Sequence, residues 1–116
     1  MITHHRMEGT ICIIKTVNES FLENAADFRK TLETLFANDA IQGMIVSLQS
    51  VLMMDSSGLG TIVNFHNKLK ESKKPFVLCE LGKNVKEVFR LTRLDKVVKI
   101  YETEAEAIQA LSQKSS

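Results

Sequence analysis

The stretch Asp55-Ser56-Ser57-Gly58-Leu59-Gly60 sets a carboxylate beside two hydroxyls and follows them with two glycines. Asp and Ser are favoured helix N-caps, because a side-chain oxygen accepts from N–H groups that the first turn leaves unpaired. From Leu59 to Lys70 the apolar positions 59, 62, 63 and 69 have the spacing of one buried helical face. The apolar stretch from Ile45 to Met54 reads as a strand running into this turn. The hydroxyls of Ser56 and Ser57 are therefore expected at a strand-to-helix corner, at the positive end of a helix dipole. Two kinds of chemistry suit that place: capping the helix, and carrying a phosphate.

Two enzymatic readings fail on spacing. A nucleophile elbow needs glycine two residues before and after its serine, and Met54 stands two before Ser56. A phosphate-binding P-loop needs Gly-Lys-Ser/Thr, and no lysine lies between Asp55 and Asn67. His66 falls near the inward stripe of the helix, with no acidic neighbour placed to orient it, so it reads as a satisfied core or boundary histidine. His4 and His5 are adjacent on an expected strand and point to opposite faces, which argues against a shared metal. Cys12 and Cys79 stand singly in strand-like runs and read as buried thiols, not as a disulfide or zinc site. No cofactor and no metal is expected.

The elements that must position the turn follow from periodicity. Residues 2–6 suit a short edge strand, and Gly9 breaks the chain before the β-branched run 10–17, a strand covered on both faces. From Glu23 the pattern is helical, with Ala25, Phe28, Leu32, Leu35 and Phe36 inward and Asn38-Asp39 at the end. Met44–Leu48 is a buried strand leading to the turn. Lys74-Pro75 stops the next helix near Lys73, and Phe76–Glu80 resumes the sheet. A helix over 83–92, a strand over 97–101 and a final helix opened by the capping box Thr103–Glu106 complete the order, with a frayed tail from Ser112. This is an α/β chain with a mixed, mostly parallel sheet of about five strands and about four helices. Partners are expected at the carboxyl ends of its strands, where the turn lies.

The 116 residues suit a single domain with a real core, 44% of them hydrophobic. A formal charge of +1 gives no footprint for direct nucleic-acid binding or for an anionic membrane. No apolar run approaches the roughly 20 residues of a membrane helix, and Met1–Arg6 lacks the apolar core of a signal peptide, so a cytoplasmic location is expected.

Val51-Leu52-Met53-Met54-Asp55-Ser56-Ser57-Gly58-Leu59-Gly60 resembles the signature of the STAS domain family, within it the bacterial anti-sigma factor antagonists. The likeness extends over nearly the whole chain, including the Lys-Pro entry to the following strand. It implies one STAS domain over residues 1–116, not an enzyme. By resemblance Ser56 is the phosphoacceptor, Asp55 its orienting neighbour and Ser57 the adjacent hydroxyl. The partners implied are an anti-sigma factor that is itself a serine kinase, captured by the unphosphorylated form so that a sigma factor is released, and a serine phosphatase that reverses the mark. A monomer or weak dimer is expected.

On the helical wheel Thr61, Asn64, Phe65 and Lys68 point away from the 59/62/63/69 stripe. With Asp55, Ser56, Ser57 and Gly58 they make the expected partner surface, Phe65 serving either as an exposed aromatic anchor or as packing against a neighbouring element. Asn24 joins that surface by resemblance. Two departures stand out. The Leu-Asp pair common near the first helix is replaced by Ser20-Phe21-Leu22-Glu23-Asn24, nearer the Phe-x-x-Asn-Ala arrangement of STAS branches that include those fused to anion transporters. Ser47 also stands where many members carry Asp. They keep open a second reading, a non-switching STAS adaptor of a transporter or larger signalling complex.

Overall fold

The computed structural model describes residues 3–16 and 25–114. Its strands are β1 (Thr3–Glu8), β2 (Ile11–Thr16), β3 (Gly43–Ser47), β4 (Phe76–Cys79) and β5 (Lys99–Tyr101). Its helices are α1 (Ala25–Phe36), α2 (Ser56–Glu71), α3 (Lys83–Leu91) and α4 (Glu104–Lys114), with a 3-10 turn at Leu94–Lys96. The expected architecture is present: one five-stranded sheet, β1 antiparallel to β2 and every other pair parallel.

The strands lie in the sheet in their chain order, β1 to β5. Parallel crossovers are right-handed, so an order that never reverses sends every crossover helix to the same face. The core obeys this. Cys12, Ile14, Met44, Val46, Phe76 and Leu78 pack with Leu32 of α1, Ile62, Phe65 and Leu69 of α2, and Val85 and Phe89 of α3. The alternate positions Ile11, Ile13, Ile45, Val77 and Cys79 face Ala107 and Leu111 of α4. Strands covered on both faces read as nearly continuous apolar runs, and β3 and β4 are buried throughout.

Local chemistry sets the joints. Gly9, with φ +64, makes the two-residue hairpin between Glu8 and Ile11, a conformation that costs glycine nothing. Gly43 opens β3 where a Cβ would meet Pro75 Cγ at 3.1 Å, and there the Met44 N–H donates to the Pro75 carbonyl. The capping box is as expected: the Glu106 N–H donates to Thr103 Oγ1, and the Thr103 N–H donates to Glu106 Oε1, both at 3.1 Å. Arg6 of β1 pairs with Glu104, tying the edge strand to α4.

Several boundaries differ from expectation. β5 begins at Lys99 rather than 97, because the Val97 and Val98 N–H groups both donate to the Leu94 carbonyl and continue the turn. β1 extends to Glu8 because the Gly9 turn pairs its whole length with β2. α4 includes Ser112–Lys114, since Leu111 is anchored in the core and carries the last turn with it. β3 ends at Ser47, and Val51–Met54 is not a continuation of it but irregular chain with a single β-bridge residue at Met53: the Val51 N–H donates to the Leu48 carbonyl, so the chain turns at Gln49-Ser50. The expected start of the first helix at Glu23 and the Ser20–Asn24 segment lie outside the described residues, Asn24 among them. Among the described residues no helix is long and apolar enough to cross a membrane.

Candidate functional site

At the corner between β3 and α2, Asp55 is the N-cap, in extended backbone with φ −97 and ψ −177. Its Oδ1 accepts from the Gly58 N–H at 3.0 Å, while its carbonyl accepts from the Leu59 N–H at 3.0 Å. Capping by Asp55 leaves Ser56 as the first helical residue with an exposed side chain, and Ser57 is exposed beside it. The expectation that Ser56 can itself cap the unmodified helix is therefore corrected. Only backbone geometry chooses among three consecutive cap-forming residues, and the extended conformation falls at Asp55.

The expected partner face is only partly assembled. Thr61 is buried and donates from Oγ1 to the Ser57 carbonyl at 3.1 Å, a bond within the helix. Phe65 is 0% exposed in the core under the sheet, so the aromatic-anchor reading is wrong and the packing alternative holds. Gly58 is buried. Lys68 is half-buried, its Nζ 4.9 Å from the centre of the Phe65 ring, while Asn64 is exposed. The physical reason is phase. Buried positions are 58, 61, 62, 65 and 69, one wheel step from the expected stripe, because α2 packs against α1 as well as the sheet. Leu59 and Val63 are left half-buried at its margin.

What α2 presents instead is a row on successive turns: Ser56 and Ser57, then Gly60, then Asn64, then Asn67. A Cβ at Gly60 would meet nothing within 4 Å. Gly60 is thus not demanded by the packing of the domain, and it leaves the backbone bare one turn beyond the serines. Next to this row the loop holds Leu52 and Met53 in solvent at 55% and 72% exposure, whereas Val51 and Met54 turn into the core. Two large apolar side chains next to exposed hydroxyls make a contact surface that the sequence reading did not assign. The signal was present as an apolar run longer than β3, but its continuity read as strand.

The neighbouring strand end is polar underneath. Ser47, where the resemblance expected Asp, is buried and donates to Glu80 Oε1 at 2.7 Å. Glu80 follows β4 with φ 58, a left-handed conformation that costs a non-glycine residue energy. A carboxylate is thus supplied to this layer from β4 rather than β3. Close by, burial first, and then the charges of Glu80 and Glu104, push the Cys79 thiol up to about 12. Burial alone raises the Cys12 thiol. Both cysteines are free and buried, as expected.

His66 is a boundary residue, as expected, but it is not fully satisfied. It is half-buried on α2, and its Nδ1 is buried without a hydrogen-bond partner among the described residues.

The sequence pattern that defines the STAS domain matches residues 4–107. The chain belongs to the STAS domain family. It is similar to a Thermotoga maritima protein named "putative anti-sigma factor antagonist", 32% identical over 110 residues that cover 95% of this chain and 97% of the relative. The crystal structure of a Thermotoga maritima protein described as a "putative anti-sigma factor antagonist" superposes with a TM-score of 0.88 at 31% identity, covering 95% of this STAS domain and 94% of that chain. The anti-sigma factor antagonist SpoIIAA, 21% identical, shares the fold in its unphosphorylated form with a TM-score of 0.81, covering 97% of both chains. In the phosphorylated form of the Bacillus protein the score is 0.72, with 94% of this chain and 98% of that one covered.

Proposed function

We propose that this STAS domain is a phosphorylation-controlled antagonist of an anti-sigma factor, with Ser56 as the phosphoacceptor. The observation that carries the reading is the division of labour at the helix start: Asp55 takes the capping role and leaves the Ser56 hydroxyl exposed at the first position of α2. The names of the relatives support an anti-sigma factor as the partner class; in this reading that partner is a serine kinase whose capture frees a sigma factor, and a serine phosphatase restores the hydroxyl.

The contact runs through Ser56, Ser57, Gly60 and Asn64 of α2, flanked by Leu52 and Met53. Leu52 and Met53 supply apolar area, and the bare Gly60 backbone admits close approach. A phosphate on Ser56 adds about −1.5 to −2 charge at neutral pH. It stands next to the Asp55 carboxylate, so a desolvated partner surface shaped for a hydroxyl meets two like charges. The helix dipole offsets part of that charge inside the domain, so binding is lost while the fold persists.

The test incubates the protein with ATP and candidate kinases of its own organism and locates the phosphate by mass spectrometry. One phosphate on Ser56, absent from Ser56→Ala, is the expected result. Equal uptake by parent and Ser56→Ala would refute the assignment and move it to Ser57; uptake from none of the kinases would favour the adaptor reading. Calorimetry with the accepting kinase should find Ser56→Asp weaker by at least about 2 kcal/mol.

A further inference from the structure

The loop before the serines carries two methionines in succession with opposite environments. Met53 is 72% exposed, whereas Met54 is buried in the core together with Val51. Those two buried side chains anchor the loop on either side, and the Met53 backbone is held in a β-bridge, so its thioether is presented outward from fixed chain. Of the other methionines among the described residues, Met44 is buried in β3 and Met7 is 44% exposed on β1, the edge strand two places from β3 in the sheet. Both cysteines are fully buried. A peroxide in solution therefore meets the Met53 sulfur ahead of any other sulfur among the described residues.

The position of that sulfur gives its chemistry a consequence. Leu52 and Met53 offer similar apolar area beside Ser56, but only the thioether can be turned into a polar group. Met53 belongs to neither core cluster, so a change confined to its side chain leaves the packing of the domain as it is.

We propose that Met53 is a modification site, oxidised by a hydroperoxide to the sulfoxide, and that the oxidation weakens the contact made by the Ser56 surface. The effect on binding rests on the contact proposed above; the reactivity of the sulfur does not. In the step the sulfide sulfur takes one peroxide oxygen, and the O–O bond breaks as the S–O bond forms. The proton of the transferred oxygen passes to the departing one, which leaves as water or an alcohol. Sulfur is oxidised by two electrons and the peroxide is reduced by two. The product carries a strongly accepting oxygen where the thioether was apolar. Pressed against an apolar partner surface, that oxygen loses its water and gains no hydrogen bond.

The test treats the protein with dilute hydrogen peroxide for increasing times and maps methionine oxidation by peptide mass spectrometry. Met53 should be modified first, Met7 later, and Met44 and Met54 last. Protein oxidised at Met53 should melt as the parent does, while calorimetry with the kinase that accepts Ser56 should find its affinity lower by about tenfold, the effect of losing one apolar anchor. A methionine sulfoxide reductase should restore that affinity, its dithiol becoming a disulfide as the oxygen leaves as water. Met53→Leu has no sulfur at this position, so peroxide should not shift its affinity from that of its own untreated form. Oxidation of Met7, Met44 or Met54 ahead of Met53 would overturn the site. Undiminished affinity of the oxidised parent, or an equal loss in treated Met53→Leu, would overturn its effect on the contact. Should the untreated protein capture no kinase, the proposed function falls, while the order of oxidation still decides the site.

Discussion

The two ends of α2, about 24 Å apart along a 16-residue helix, present different chemistry. Its amino end carries exposed hydroxyls and a bare glycine, preceded by two solvent-facing apolar side chains. Its carboxyl end borders a cleft of about 440 Å³ lined by Lys70, Lys73, Lys74 and Lys99. The difference follows from strand order. In doubly wound sheets the order reverses at some point and opens a crevice at the carboxyl ends of the strands, where small ligands settle. This sheet never reverses, so its strand order sets no such crevice at the carboxyl edge, where α2 presents exposed hydroxyls, and the lysine-lined cleft lies at the opposite edge. Polar turn residues at a strand's carboxyl end do not by themselves announce a small-molecule site.

The comparison rests on a rigid helix between the ends, and the sharpest way to break it is at the middle. Phe65→Ala removes a fully buried ring and should cost about 3–5 kcal/mol by denaturant unfolding. A loss below about 1 kcal/mol would place Phe65 outside the core and return it to the partner surface.

A smaller effect separates Asp55 from its neighbour. Asp55→Ala should lower stability by about 1 kcal/mol through the lost cap, while Ser56→Ala should stay within about 0.5 kcal/mol of the parent. Equal costs would mean that Ser56 shares the capping role.

Gly60→Ala sharpens the contrast from the other direction. With nothing in reach of the new methyl, the free protein should gain about 0.5–1 kcal/mol in thermal unfolding while the Ser56-dependent contact weakens. A destabilised variant would show that Gly60 serves the fold.

The fold was legible because β-branched runs and helical stripes alternate at short intervals, and because Pro75 and the Thr103–Glu106 box punctuate them. The site was legible only as far as local chemistry reaches. Asp55, Ser56 and Ser57 were identified, but the choice of cap depends on backbone angles that a run of three cap formers does not encode. Phe65 was misplaced because α2 carries apolar residues at 59, 62, 63, 65 and 69, enough for two overlapping stripes, and its packing on both α1 and the sheet selects one. The lysine cleft escaped notice because Lys99 is distant in sequence from Lys70–Lys74 and joins them only through the β4–β5 pairing.

Another expected effect concerns pH. The Cys79 thiol is raised from 9.0 to about 12 in the folded protein, so above pH 9 the unfolded chain releases a proton that the folded one keeps. Stability should therefore fall as pH rises through the window from 9 to about 12. Melting curves of Cys79→Ala should fall less steeply over that window; parallel curves would show that this thiol does not set the alkaline limit.

Cys12 faces the α1–α2–α3 side of the sheet and Cys79 the α4 side, with β3 between their strands. Two strand spacings, about 9–10 Å, together with opposite faces put them beyond disulfide reach. Each thiol is thus a private clock. An alkylating reagent can reach Cys12 only when the three-helix layer lifts and Cys79 only when α4 does, so the two labelling rates time the opening of the two layers independently, with no engineered site in the protein.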